Sequence, residues 1–207
     1  MKKSIFLPVL LLATLFCNGC RTPWIIDNCQ PEKTRAMLHK QMLIVKLKTY
    51  PEKYAGDFGE NFRLRMQTLL GKNQVVYSGD LLSMQDAFTK ASKNDNKDKF
   101  NIRTREFVTL GKALGCSTVL CGVISIKENP ELSVKVQLWW LDTSDGELLL
   151  TIRKDFDTAN RYERKDFANY LKLRLITIKN QEAQRQIFIK YCAEKMAEKF
   201  KQTANLE

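Results

Sequence analysis

The N-terminal part of the chain carries one predominantly apolar run before any alternating pattern begins. This run covers residues 5–16, follows Lys2 and Lys3, and ends in a short stretch of small and polar residues at 17–20. Positive residues, an apolar segment and a small-residue boundary are the three parts of a secretion signal. Because a membrane-spanning helix needs about 20 apolar residues, the pattern predicts a segment that is removed during export.

From residue 41 the apolar positions switch between strand and helix periods. Their order predicts an α/β (α+β) fold, in which a mixed β-sheet of about five strands packs with helices in the order β-α-β-α-α-β-β-β. A C-terminal helical extension follows. The predicted strands are residues 41–51, 74–78, 117–127, 132–141 and 147–156, and the predicted helices are residues 57–70, 79–88 and 104–114.

Local signals predict where these helices begin and end. Asp57 and Thr104 are predicted N-caps, and Gly71 and Gly115 are predicted left-handed residues at helix ends. Residues 90–103 are charged and rich in asparagine, which is typical of a solvated loop.

The strand at 132–141 alternates between an apolar face and a polar face. Trp140 lies on the apolar face, and Trp139 lies on the other. An exposed Trp139 is a candidate contact for a partner. In the alternative, the C-terminal helix covers Trp139 with its own apolar stripe, which is formed by Phe188, Cys192, Met196 and Phe200.

These patterns predict four segments. They are a signal peptide at residues 1–19, a short tether at 20–40, an α/β domain at 41–157 and a basic C-terminal helical extension at 158–207. The tether is predicted from Pro23, Pro31 and mixed polar residues, with a helix as the alternative from Glu32 onward. A flexible segment of about 20 residues has a root-mean-square span of roughly 25 Å, so the domain is expected to stay near its anchor.

The net charge of the chain indicates which kind of molecule it binds. The chain has 34 lysines and arginines against 23 acidic residues, which gives a formal net charge of +11. This excess predicts an anionic neighbour. For an exported protein the candidates are anionic lipid, cell-wall polymer and acidic partner proteins, and nucleic acid is not expected.

The cysteines allow two interpretations. Cys29, Cys116, Cys121 and Cys192 remain after the predicted signal, in a compartment that permits disulfides. One interpretation is a disulfide between Cys29 and Cys192. The preferred interpretation is that Cys116, Cys121 and Cys192 are small buried apolar residues.

The sequence predicts no catalytic residue, no cofactor site and no metal site. His39 is the one histidine, no C-x-x-C pair is present, and the glycines lack the spacing of a phosphate-binding loop. A hydrolase that uses acidic residues is kept as an alternative, with Asp142, Asp145 and Asp155 as its candidates.

The boundary Cys17-Asn18-Gly19-Cys20 resembles the lipobox of bacterial lipoproteins. The resemblance implies cleavage after Gly19 and acyl chains on Cys20, which then anchors the protein in a membrane. Cys17 stands where that motif usually has leucine.

The stretch TREFVTLGKALGCSTVLCGVISIKENPELSVKVQLWWLDTSDGELL resembles the periplasmic lipoprotein domains related to CsgG, LpoB and the amino-terminal domain of TolB. The resemblance covers residues 41–157. It implies a non-enzymatic lipoprotein of the outer membrane that faces the periplasm and binds envelope components in assembly, secretion or peptidoglycan synthesis. A homo-oligomer or an envelope protein is the implied partner, and a subunit of an oligomeric secretion assembly is the alternative role.

Overall fold

A computed structural model of the protein describes residues 22–27, 30–78, 104–128 and 131–205. The strands are β1 (Ile25–Asp27), β2 (Met42–Ile44), β3 (Lys48–Tyr50), β4 (Val75–Tyr77), β5 (Thr118–Lys127), β6 (Ser133–Asp142) and β7 (Leu148–Asp157). The α-helices are α1 (Pro31–Leu38), α2 (Ala55–Leu70), α3 (Thr104–Ala113), α4 (Arg161–Leu173) and α5 (Gln181–Ala204).

The seven strands form one mixed sheet in the order β1-β7-β6-β5-β2-β4, and β3 also pairs with β5. The pairs β5–β6, β6–β7 and β7–β1 are antiparallel, whereas β2 pairs parallel with β4 and β5, and β3 pairs parallel with β5. The predicted α/β class, with a mixed sheet and a C-terminal helix, is confirmed. The sheet has seven strands in the described residues, where about five were predicted.

The predicted strand at 41–51 is divided into β2 and β3. Val45 still donates its backbone N–H to the carbonyl of Leu120 on β5, at 2.9 Å. The backbone N–H of Lys46 instead donates to the hydroxyl of Ser78, at 2.8 Å. The strand is interrupted because its register against β5 shifts by one residue between the pair Ile44–Leu120 and the pair Lys48–Val123.

The predicted helix ends are confirmed, but one predicted cap is wrong. Gly71 and Gly115 have φ values of 109° and 70°, in the region that favours glycine. Helix α2 begins before Asp57, with Tyr54 at the N-cap position and no side-chain cap, so Asp57 lies in the first turn instead. The predicted helix at 79–88 and the predicted loop at 90–103 lie outside the described residues.

The prediction that residues 20–40 form a tether is wrong for the described part of that segment. Ile26 on β1 is paired with Ile152 on β7, so the segment adds an edge strand to the sheet. The alternative of a helix from Glu32 onward is confirmed by α1, which buries Thr34 and Leu38. Apolar residues of the N-terminal segment therefore belong to the same fold as the sheet.

Helices cover both faces of the sheet. The larger core joins one face to α2, α4 and α5, and it includes an edge-to-face contact at 5.1 Å between the rings of Trp140 and Phe200. A smaller apolar cluster under α3 covers part of the other face. The predicted C-terminal helical extension is confirmed in its described part by α4 and α5. Because Phe200 belongs to the larger core, the predicted boundary at 157 does not separate two cores.

Candidate functional site

Thr22 is the first residue that the structure describes, and the buried side chain of Lys154 binds it. Lys154 lies on β7 between Ile152 and Phe156, which both belong to the larger core. Because alternate residues of a strand share a face, Lys154 points into the apolar, helix-covered side. Only 2% of its surface is exposed.

Glu163 supplies the opposite charge from the first turn of α4. Asn160 caps this helix, since its side chain accepts hydrogen bonds from the backbone N–H groups of Tyr162 and Glu163. The Lys154 ammonium donates to Glu163 Oε1 at 2.5 Å. Both side chains are almost fully buried, so water does not solvate either charge.

The same two residues bind the N-terminal segment. Lys154 Nζ donates to the Thr22 carbonyl at 2.5 Å and contacts its hydroxyl oxygen at 3.1 Å. The Thr22 hydroxyl donates to Glu163 Oε1 at 3.2 Å. The ring of Trp24 lies 5.6 Å from Lys154 Nζ and packs edge-to-face on Phe156. We call Thr22, Trp24, Lys154 and Glu163 the N-terminal clamp.

The clamp was not predicted from the sequence, although one signal for it is present. Ile152, Lys154 and Phe156 occupy the same face of a predicted strand, which places a lysine at a core position. A lysine is almost never fully buried unless it is paired. That combination is therefore a sign of a buried partner elsewhere in the chain.

Cys20, the predicted lipidation site, lies outside the described residues. It stands two positions before Thr22 in the sequence. Two residues of extended chain span at most about 7 Å, so the backbone of Cys20 stays within that distance of the clamp.

Trp139 is half-buried and packs against the smaller cluster on the α3 side. The C-terminal helix α5 contacts the opposite face of the sheet, where Phe200 meets Trp140. The alternative in which the C-terminal helix covers Trp139 is therefore wrong. The role of Trp139 as a partner contact stays a prediction.

The acidic residues that were considered for a hydrolase are ion-paired. Lys33 on α1 lies 3.2 Å from Asp142, 3.3 Å from Asp145 and 2.5 Å from Glu147. Asp155 pairs with Lys135 at 2.9 Å.

Hydrogen bonding sets the pKa values in this acidic cluster. Burial raises the pKa of Asp142, but hydrogen bonds from Ser144 and Lys33 outweigh it and hold the pKa below its usual value. Hydrogen bonds from Lys33 and Gln30 lower the pKa of Glu147. A general acid needs a pKa near the working pH, so these carboxyl groups do not fit that role near neutral pH.

Replacing Lys33 by methionine is expected to destabilise the protein at pH 7 and to have less effect at about pH 3. Asp142 and Glu147 have lowered pKa values in the folded state, so their stabilisation is present above their unfolded pKa of about 4 and is lost as the pH falls through the folded values. Urea unfolding of wild type and Lys33→Met at both pH values measures this. Lys112→Met is the control, because Lys112 binds the carbonyl of Ser144 in the same loop. A Lys33→Met effect that does not change with pH would contradict the assignment.

The described cysteines and His39 do not form a catalytic pair. Cys116, Cys121 and Cys192 are free and buried, as the preferred interpretation predicted, and burial raises the pKa of Cys121 to about 12. The bridge to Cys192 is therefore not formed, and Cys29 lies outside the described residues. His39 is exposed at the end of α1.

The described ranges contain no group of three or more His, Cys, Asp or Glu residues arranged to hold a metal ion. None of their helices has the length and apolar character needed to cross a bilayer.

The fold is a mixed α/β sheet with a long C-terminal helix, and it is similar to known structures at low sequence identity. The PelC dodecamer from Paraburkholderia phytofirmans matches 90% of this chain and 99% of its own, with 8% identity and a TM-score of 0.50. Lipoprotein GNA1162 from Neisseria meningitidis matches 57% of this chain and 80% of its own, with 13% identity and a TM-score of 0.36.

The LpoB C-terminal domain from Escherichia coli matches 61% of this chain and 94% of its own, with 16% identity and a TM-score of 0.34. No protein-family model and no curated sequence matches the chain. Similarity at the level of PelC shows a shared fold and does not extend to activity. The resemblance to CsgG and to the amino-terminal domain of TolB stays a prediction.

Proposed function

We propose that the protein is a non-enzymatic lipoprotein, anchored in the outer membrane by acyl chains on Cys20, whose α/β domain binds other envelope components at the periplasmic membrane surface. The observation that carries the proposal is the N-terminal clamp. It begins two residues after Cys20 and joins Thr22 to the buried Lys154–Glu163 pair. An acyl anchor on Cys20 is then attached almost directly to the folded domain.

The short connection limits which partners the domain reaches. A flexible tether of 20 residues would give it a root-mean-square reach of roughly 25 Å, whereas the two residues before Thr22 give at most about 7 Å. The domain therefore acts on components that lie in the membrane or on its surface. A partner across the periplasm is not supported by this arrangement.

The arrangement of side chains favours binding over hydrolysis. Asp142, Asp145 and Asp155 are neutralised by lysines. Trp139 offers a half-buried aromatic surface on the α3 side of the sheet, and partly buried aromatic residues are frequent anchors at protein interfaces.

The second candidate is a subunit of an oligomeric secretion assembly. It is favoured by the similarity to PelC, whose structure is a dodecamer and matches almost the whole fold. Sedimentation of the detergent-solubilised protein separates the candidates. A discrete large oligomer supports the subunit, and a monomer supports the adaptor.

Crosslinking in intact cells, followed by purification, tests the binding role. The proposal expects adducts with a membrane-associated envelope protein in wild type and their loss in Trp139→Ala. Tyr50→Ala is the control, because Tyr50 is another accessible aromatic residue, 44% exposed, elsewhere on the sheet. Adducts only between copies of this chain would favour the oligomer, and no adduct in wild type would contradict the binding role.

A further inference from the structure

Helix α4 carries a basic stripe on the side that faces away from the core. Arg161, Lys165 and Lys172 are exposed and recur at helical spacing, with Arg164 beside them. The opposite side of the helix buries Phe167 and Tyr170 in the larger core. Within the described ranges, none of these four basic residues lies within ion-pair distance of a carboxylate, so their charge is available to an external anion.

Two strongly exposed leucines follow this stripe at the C-terminal end of α4. Leu173 is 85% exposed and Leu175 is 91% exposed. Leu175 also has a φ of 54°, a left-handed conformation that is unfavourable for a residue with a side chain. Its backbone N–H donates a hydrogen bond to the carbonyl of Lys172, at 3.2 Å. The fold therefore holds these two apolar side chains outside the core.

Helix α4 begins beside the N-terminal clamp, near the predicted anchor, and the exposed leucines lie at its far end. Glu163, in the first turn of α4, binds Thr22 in the N-terminal clamp. The leucines lie at the other end, where Leu173 is ten positions after Glu163 and about 15 Å away along the helix at 1.5 Å per residue. An anchor on Cys20 and the exposed leucines thus mark the two ends of one basic helix.

We propose that the exposed side of α4 is a docking surface for an anionic phospholipid bilayer. Arg161, Arg164, Lys165 and Lys172 bind lipid phosphates, while Leu173 and Leu175 enter the boundary between headgroups and acyl chains. A basic helix with exposed leucines is typical of binding at a membrane interface. An anionic wall polymer would pair with the basic residues but would offer the leucines no apolar surroundings. A lipid bilayer accommodates both the basic residues and the leucines.

This inference rests on the proposed function for its cellular setting, but the surface is tested without the anchor. The probe is the chain from residue 20 to 207 with Cys20→Ser, which retains every described residue and has no acyl chain. Its folding is checked by circular dichroism. Its binding is measured by sedimentation with vesicles of phosphatidylcholine alone and of phosphatidylcholine with 30% phosphatidylglycerol.

We expect binding to the anionic vesicles and much weaker binding to the neutral ones. The variant Arg161→Glu/Lys165→Glu/Lys172→Glu should bind anionic vesicles at least about tenfold more weakly, since each cation near an anionic surface contributes about fivefold. The matched control is Lys40→Glu/Lys72→Glu/Lys127→Glu, which makes the same change of charge at exposed lysines on other elements. An equal loss in the control would overturn the assignment to α4.

The leucines are tested with Leu173→Ser/Leu175→Ser. We expect a severalfold loss of binding and the disappearance of the part that resists high salt. If this variant binds vesicles like the parent but dissociates an oligomer, a second copy of the chain covers the leucines and the proposal is overturned. Vesicle binding by the probe together with no fatty acid on the wild-type protein in cells would contradict the anchor and leave the docking surface intact.

Discussion

Replacing Lys154 by methionine is expected to lower the free energy of unfolding by about 3–5 kcal/mol. The substitution leaves the Glu163 carboxylate buried without its counter-ion, and the Thr22 carbonyl loses its donor. Bulk water solvates the unpaired carboxylate poorly, because the Glu163 side chain is only 3% exposed. Urea unfolding at pH 7 measures the change.

Two further variants show whether the loss comes from the unpaired charge. Lys154→Met/Glu163→Leu should recover most of the stability, since an apolar pair of similar volume replaces a buried ion pair with little cost. Lys135→Met is the matched control, because its partner Asp155 is exposed and surface pairs contribute at most about 1 kcal/mol. Equal losses in Lys154→Met and Lys135→Met would contradict the buried clamp.

The effect on the N-terminal segment should be visible locally. In Lys154→Met, amide hydrogen exchange should accelerate in β1 more than in β5, because β1 is an edge strand that the clamp holds through Thr22. Uniform acceleration across the sheet would show that Lys154 supports the whole core and does not specifically retain the N-terminal segment.

The sequence predicted those parts of the fold that depend on local periodicity. Strand β6 alternates over ten residues, and the assignment of Trp140 to the core and Trp139 to the other face is confirmed. The stripe that contains Phe188 and Phe200 in α5 was predicted for the same reason, because a 24-residue helix repeats its pattern many times.

The elements that were missed depend on partners that are distant in the sequence. Strand β1 has three residues, too few to show a period, and it exists because β7 provides the pairing. The division between β2 and β3 follows from a one-residue shift in their register against β5, which lies more than 70 positions away in the sequence. Lys154 and Glu163 form the clamp only when α4 folds back on β7, so the pattern of either element alone does not reveal it.

Replacing Cys20 by alanine is expected to remove fatty acid from the protein completely. Acyl transfer requires the thiol of that residue, so the effect is a loss and not a reduction. Because cleavage at a lipoprotein signal follows acylation, the variant should also retain residues 1–19 and appear as a larger precursor. Cys29→Ala is the matched control, since Cys29 lies nearby in the sequence and has no predicted lipid, and it should be labelled like wild type.

The short connection between residue 20 and the clamp holds the domain at the membrane only if Cys20 carries lipid. The most direct test is metabolic labelling with a fatty acid, combined with the mass of the N-terminal peptide. We expect a wild-type protein that begins with an acylated Cys20, and a Cys20→Ala protein that is unlabelled and still carries residues 1–19. A wild-type protein without fatty acid, or a Cys20→Ala protein that keeps its label, would contradict the proposed anchor.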